Sequence, residues 1–314
     1  MAAQGADAPL QHLVIATRGS TLARVQTDSV IAHLNIHHPG LTTEVRVIKT
    51  TGDASQEASL TELGLGVFTK ELEVELLSHR ADLAVHSLKD MSTEAPAGLE
   101  VLTVMKREDP RDVLVSRGGL KLAELATGAV VGTSSPRRAA LILAIRPNVA
   151  VAPIRGNVET RLRKLNEGSF DAIVLAAAGL IRLGLQAEVT EYLDPLTFTP
   201  AVGQGAVALQ GRSDDTALAT LLEPLDHTDT HASVLAERAF LVALGGGCRV
   251  PMGAHGVITG DSLHVAGVVA SLDGKQCYRA DVEGPVGDAD ALGRRLAQDV
   301  LDQGATILLA GGTV

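Results

Sequence analysis

The most constraining feature of this sequence is a unit that recurs along it: a short apolar run, a polar or glycine-bearing turn, then a helical run opened by a capping residue. It occurs at 13–16 (LVIA), with Thr17-Arg18-Gly19-Ser20 leading into a helical stretch over about 21–37. It returns at 129–131, where GTSSPRR (132–138) opens the next helix, with Ser135 as its cap and Pro136 in the first turn. It returns again at 149–154, with Arg155-Gly156-Asn157 before a helix over 158–166, and at 170–175 before a helix that carries Arg182. Strands alternating with helices of this length require crossover connections, hence parallel sheets and an α/β architecture. In open α/β sheets ligands bind beyond the carboxyl ends of the strands, so the turns are where function is to be sought.

The turns hold the chemistry. Ser20 caps a helix whose free N–H groups can face an anion, and Arg18 adds a planar fork suited to a carboxylate. A capped helix with a solvated arginine is the plainer reading of the same residues. At 80–90 (RADLAVHSLKD) an apolar strand ends in His86, Ser87, Lys89 and Asp90. Asp90 is either a turn residue or a carboxylate aimed at a developing cation or a transferable proton. Arg137 and Arg138 stand in the first turn of a helix, where cations oppose the helix dipole, and an anion lying over that helix start would resolve the conflict. Each of Arg155, Arg161, Arg163 and Arg182 alone reads as a surface side chain, but together they occupy strand-to-helix junctions or the helices that follow.

Two segments read as crossings between lobes. The charged, proline-bearing run 106–112 (KREDPRD) carries the chain from a first α/β series to a second, and 199–205 (TPAVGQG) carries it back. Two crossings between two α/β lobes make a hinged clamshell with the ligand in the cleft. The expected division is 1–105 with 206–224, then 111–199, then a smaller α+β domain over 228–314. The last part contains Gly245-Gly246-Gly247-Cys248-Arg249-Val250-Pro251. Glycines remove side chains from in front of the thiol and proline stiffens the exit, so Cys248 is either presented to a cavity or is a small packed residue. Cys277 lies in a strand pattern with no presenting turn, and His227 and His231 lack the companions a metal site needs. No metal is expected.

Composition narrows the function classes. The 314 residues carry a formal charge of −10, with 46% apolar, 20% charged and 2% aromatic residues. That balance argues against general nucleic-acid binding and makes any basic cluster conspicuous. No apolar run reaches the ~18 residues of a membrane span, and no secretory signal precedes residue 12. Two cysteines cannot build a disulfide framework. A cytoplasmic monomer with no nucleic-acid or membrane partner is expected.

Taken together, 16–20 (ATRGS), 80–90, REDPRD at 107–112, GTSSPRR, Arg155-Gly156-Asn157 with Thr160-Arg161-Leu162, AVGQGA at 201–206 and GGCRVP at 246–251 closely resemble the porphobilinogen deaminases, also called hydroxymethylbilane synthases. The stretches follow the family's order over most of the chain. The resemblance implies two lobes like type II periplasmic binding proteins, with a hinged cleft, and a small C-terminal α+β domain. It implies a dipyrromethane cofactor joined by a thioether to Cys248, formed when the sulfur attacks the exocyclic carbon of an azafulvene. It implies that four porphobilinogen molecules lose ammonia and join head to tail, giving hydroxymethylbilane. By resemblance Ser135, Arg137, Arg138 and Lys89 grip the cofactor, Arg155, Gly156 and Arg161 lie between cofactor and incoming ring, and Arg18, Ser20, Gln26, Arg182 and Gln204 hold the incoming ring or the growing chain. Asp90 is the expected catalytic residue. Many relatives carry lysines before the phenylalanine matching Phe68, whereas 62–67 here has none, so a lid is the expected role of that loop. The alternative from another class is a non-catalytic two-lobed anion-binding protein.

Overall fold

The computed structural model describes residues 10–51, 68–246 and 250–310. The first lobe is a five-stranded sheet of β1 (His12–Arg18), β2 (Thr42–Ile48), β3 (Leu83–Ser87), β4 (Leu99–Val104) and β10 (Val207–Arg212), in the order β2-β1-β3-β10-β4. Three helices flank it: α1 (Thr21–His37), α2 (Lys70–Leu77) and α6 (Thr216–Leu222). Strand alternation explains both covered faces. Leu13 and Ile15 of β1 pack with Val30 and Leu34 of α1, while Ala16 packs with Leu72 and Leu76 of α2.

The second lobe repeats the plan. Its strands are β5 (Asp112–Ser116), β6 (Val130–Gly132), β7 (Ala150–Ala152), β8 (Ala172–Ala176) and β9 (Glu191–Tyr192), ordered β7-β6-β8-β5-β9. Its helices are α3 (Pro136–Ile145), α4 (Val158–Asn166) and α5 (Ala177–Arg182). Serine and asparagine caps open α1, α3 and α4: Ser20, Ser135 and Asn157 each accept a backbone N–H two or three residues into the helix. The two-residue β9 and the helix α6 have no counterpart in the sequence expectations.

Register explains where the cleft must be. β1 is parallel to β2 and β3, and β6 is parallel to β7 and β8, whereas β10 and β5 run antiparallel to β3 and β8. These two antiparallel strands are the ones entered directly from a crossing. β5 begins opposite the end of β8 (Asp112 beside Ala176), and β10 begins opposite the end of β3 (Val207 beside Ser87). Both crossings therefore join carboxyl ends, and the strand-to-helix turns of the two lobes face each other.

The crossings bind one another. Glu108 N donates to Gly205 O at 3.1 Å, Arg107 Nε to Gln204 O at 2.7 Å, and Gln204 Nε2 to Pro110 O at 2.7 Å. Gly205 has a φ of +88°, and a Cβ there would stand 2.4 Å from Glu108 O, so only glycine allows this approach.

The third part is an antiparallel meander of β11 (Met252–Thr259), β12 (Ser262–Ala270) and β13 (Cys277–Pro285), packed by α7 (Thr228–Ala243) and α8 (Ala289–Val300). Phe240, Leu263, Val265, Leu296 and Val300 form its core. His227 caps α7 by accepting Thr230 N, and His231 Nδ1 lies 2.9 Å from Asp226 Oδ1. The fully buried Glu237 of α7 pairs with Arg107 at 2.5 Å and accepts the N–H groups of Gly203 and Gly256. One carboxylate thus ties both crossings to the meander. Arg279 holds the second lobe by donating to Leu196 O, Thr197 O and Thr199 Oγ1. No helix among the described residues is long and apolar enough to cross a membrane.

Candidate active site

The facing turns enclose a cleft of about 890 Å³. From the first lobe, Arg18 and Ser20 reach it from the β1–α1 turn, with the Arg18 guanidinium 4.1 Å above the Phe68 ring. Gln26 lines it one turn further on and is locked to Ser87 at the end of β3, Nε2 to Oγ, at 3.0 Å. The strand end at β3 is held from its other side by His86, whose Nε2 lies 3.0 Å from Gln210 Oε1. Burial lowers the pKa of His86 to about 4, so this ring is neutral at physiological pH. A single 3₁₀ turn (Leu88–Asp90) follows and projects Lys89 and Asp90 into the cleft. From the second lobe come Arg138 at the start of α3, Arg155, Gly156 and Arg161 around the start of α4, and Arg182 at the end of α5.

Among the described residues, nine basic side chains line the cleft and one carboxylate does, that of Asp90. This excess of positive charge sits inside a chain of formal charge −10. Its cost is visible in the ionisation of individual groups. Burial, then the neighbouring Arg138, brings Lys89 down to about 8. Burial, Arg138 and Arg155 together bring Arg161 down to about 10. Burial likewise lowers Arg182, which donates Nη2 to Gly205 O at 2.7 Å. A cleft in which cations depress one another favours an anionic occupant that would relieve the repulsion.

Three residues expected in the site take other places. Gln204 is fully buried between the crossings: its Oε1 accepts Lys89 Nζ at 3.2 Å and its Nε2 donates to Asp112 Oδ1 at 3.0 Å. Arg137 does not line the cleft. It pairs with Asp112 at 2.7 Å and donates to Thr199 O at 2.6 Å. Ser135 acts as the α3 cap, accepting Arg138 N at 3.4 Å, and also stands outside the lining. The anion expected over the start of α3 is present and internal. It is Asp112, fully buried and shared by Arg137 and Arg138, each at 2.7 Å. Burial opposes its charge, yet the two guanidinium groups and Gln204 hold its carboxyl below the ordinary range.

Cys248 lies outside the described residues, as does most of the glycine-rich loop before Phe68. The chain leading to Cys248 is nevertheless registered against the segment that follows the Leu88–Asp90 turn. Arg238 of α7 donates to Ser92 O and Thr93 O at 2.8 and 2.9 Å, and a Cβ on Gly246 would stand 3.3 Å from Thr93 Oγ1. Lys49, Arg163 and Lys164 also line the cleft; of these the sequence pointed to Arg163 only as one of a group of arginines, with no role, and to the two lysines not at all. The basic run Arg161-Leu162-Arg163-Lys164 carried the signal for two of them. Among the described residues no cluster of metal-ligating side chains occurs.

Comparison with known proteins follows this geometry. The family model described as the porphobilinogen deaminase dipyrromethane cofactor-binding domain matches residues 13–220, and that of the porphobilinogen deaminase C-terminal domain matches residues 231–302. A porphobilinogen deaminase of Syntrophobacter fumaroxidans is 49% identical over 94% of this chain and 96% of its own length. One of Desulforudis audaxviator is 50% identical over 96% of this chain and 97% of its own. The cleft, the caps and these matches agree, and this chain belongs to the porphobilinogen deaminase family.

Proposed function

We propose that this chain is a hydroxymethylbilane synthase, which joins four porphobilinogen molecules head to tail with loss of ammonia and releases hydroxymethylbilane. The observation that carries the proposal is the cleft itself, in which, among the described residues, nine cations surround a single carboxylate. Each pyrrole ring brings acetate and propionate arms, so primer and growing chain are polyanions that such a surface fits. A dipyrromethane joined to Cys248 supplies the pyrrole carbon on which the chain is built. Lys89, Arg138, Arg155 and Arg161 would hold its carboxylates. Arg18, Ser20, Gln26 and Arg182, which line the same cleft, would hold an incoming ring.

Asp90 is the catalytic residue of the proposal. As ammonia departs from porphobilinogen, positive charge spreads onto the pyrrole nitrogen. A fixed carboxylate hydrogen-bonded to that N–H stabilises the charge where it develops. The same carboxylate is placed to take the proton lost when the new bond is made. Gln204 and Asp112 act one step back, by holding Lys89 and Arg138 in place. The division into 1–105 with 206–224, 111–199 and 228–314 is proposed as the set of moving bodies, and a cytoplasmic monomer as the working form.

The test is Asp90→Ala. Turnover should fall by at least about 10²-fold, the scale for losing one preorganised electrostatic partner. The intact mass should still exceed that of the polypeptide by one dipyrromethane. A variant with a near-normal rate would remove Asp90 from the mechanism.

A further inference from the structure

The turn that presents Arg155 is built in an unusual way. Arg155 and Lys164 are nine residues apart, which on a straight helix is about 13 Å of axial rise and beyond a lysine's reach. Yet Lys164 Nζ lies 3.1 Å from Arg155 O. The two meet because the chain folds back along the side of α4 before entering it. Gly156 makes that fold possible, with a φ of +113° and a site where a Cβ would stand 2.5 Å from Thr160 Cγ2. Arg161 Nε donates to Gly156 O at 2.8 Å, and Asn157 Oδ1 accepts Thr160 N at 2.9 Å. Two consecutive carbonyls, those of Arg155 and Gly156, are thus each held by a cation of the following helix.

Neighbouring cations differ in what engages them. Arg163 pairs with Glu167 at 2.6 Å on the exposed side of α4. Lys164 is half-buried and gives its ammonium to a main-chain carbonyl. A lysine placed beside Arg155 and Arg161 adds repulsion to a region where Arg161 is already depressed by its neighbours. Stability alone therefore gives no reason for a charge there. Geometry does: a charge-assisted bond to Arg155 O fixes the peptide from which the Arg155 side chain leaves.

We infer that Lys164 is a positioning residue, which aims the Arg155 guanidinium into the cleft by clamping the Arg155 carbonyl. The inference rests on the proposed role of Arg155 as a ligand-holding residue. It assigns Lys164 no contact with the reacting atoms.

The test is a double-mutant cycle on the loaded enzyme, with Lys164→Met, Lys164→Arg, Arg155→Lys and the double variant Arg155→Lys/Lys164→Met. Lys164→Met should raise KM for porphobilinogen about tenfold with kcat within about twofold, as expected when a binding group is displaced rather than removed from the transition state. Lys164→Arg should recover most of that loss. In the Arg155→Lys background, Lys164→Met should add less than about a twofold effect, since the two residues then act through one contact. The backbone amide resonance of Gly156, which shares its peptide unit with the Arg155 carbonyl, should move in Lys164→Met and return toward its original position in Lys164→Arg. A tenfold effect of Lys164→Met in both backgrounds, or an unmoved Gly156 resonance, overturns the inference. Wild-type kinetics in Arg155→Lys, with the Gly156 resonance still moved by Lys164→Met, would instead overturn the ligand-holding role of Arg155 and leave the clamp standing.

Discussion

Lys89 answers to both lobes at once. It leaves the β3 turn beside Asp90, its ammonium reaches the Gln204 carbonyl oxygen between the crossings, and Arg138 of the second lobe opposes its charge. Burial and that neighbour lower the folded pKa to about 8, so the ammonium is the major form below this pH and the neutral amine above it. Its grip on a carboxylate is present at lower pH and fades as pH rises through 8. KM for porphobilinogen should therefore climb between about pH 7 and 9, over the span of one titrating group. Lys89→Met should give a raised KM that is flat over the same interval. A flat wild-type profile would show that Lys89 does not hold the substrate or the primer.

The residues that sequence reasoning placed well are those whose role is local. Ser20, Ser135 and Asn157 cap the helices that they precede, Arg18, Lys89, Asp90 and Arg155 line the cleft from turns that follow strands, and Arg161 lines it from α4. Arg137 and Gln204 are both tied to Asp112, a partner remote from them along the chain that the sequence did not reveal. Nothing in the spacing of REDPRD marks its last carboxylate as the buried counterion of two arginines. Glu237 was missed for the same reason, since Arg107 lies 130 residues away.

At the scale of elements, the crossings carry the burden of the fold. They enter as antiparallel strands into otherwise parallel sheets, and they hydrogen-bond to each other where Gly205 meets Glu108. The composition of TPAVGQG and KREDPRD made both segments visible as crossings, but strand direction was not legible. It depends on which end of each sheet the chain enters. Gly205→Ala places a Cβ against the Glu108 carbonyl and imposes a left-handed backbone on alanine. The expected cost is about 1–3 kcal/mol for the backbone conformation alone, read as a lowered urea midpoint. The steady-state rate should fall with it, because the displaced crossing carries Gln204 away from Lys89. Unchanged stability would mean that the crossings do not need this close approach.

At the scale of the whole molecule, an acidic protein gathers nine basic side chains in one cleft between two lobes of like plan. A third body holds both crossings through Glu237, and its helix α7 binds the segment just after the Leu88–Asp90 turn through Arg238. On the proposed function, that arrangement would bring a tethered polyanion to Asp90, the only carboxylate among the described residues of the cleft. It makes sense of the separate lobes, since a chain that lengthens ring by ring needs a surface that can be re-used at each addition. The number of lobes and the site of the cleft were legible from the repeated strand–turn–helix unit. The inward route of the C-terminal part was not, because it is set by packing between surfaces distant in sequence.

The central claim is that this cleft extends a primer bound through Cys248, and intact mass measured before and after mixing with porphobilinogen tests it most directly. The account predicts a resting mass one dipyrromethane above that of the polypeptide, a ladder of further single-pyrrole increments up to four after mixing, and neither in Cys248→Ser. A resting mass equal to that of the bare chain, or an adduct and ladder that survive in Cys248→Ser, would contradict it.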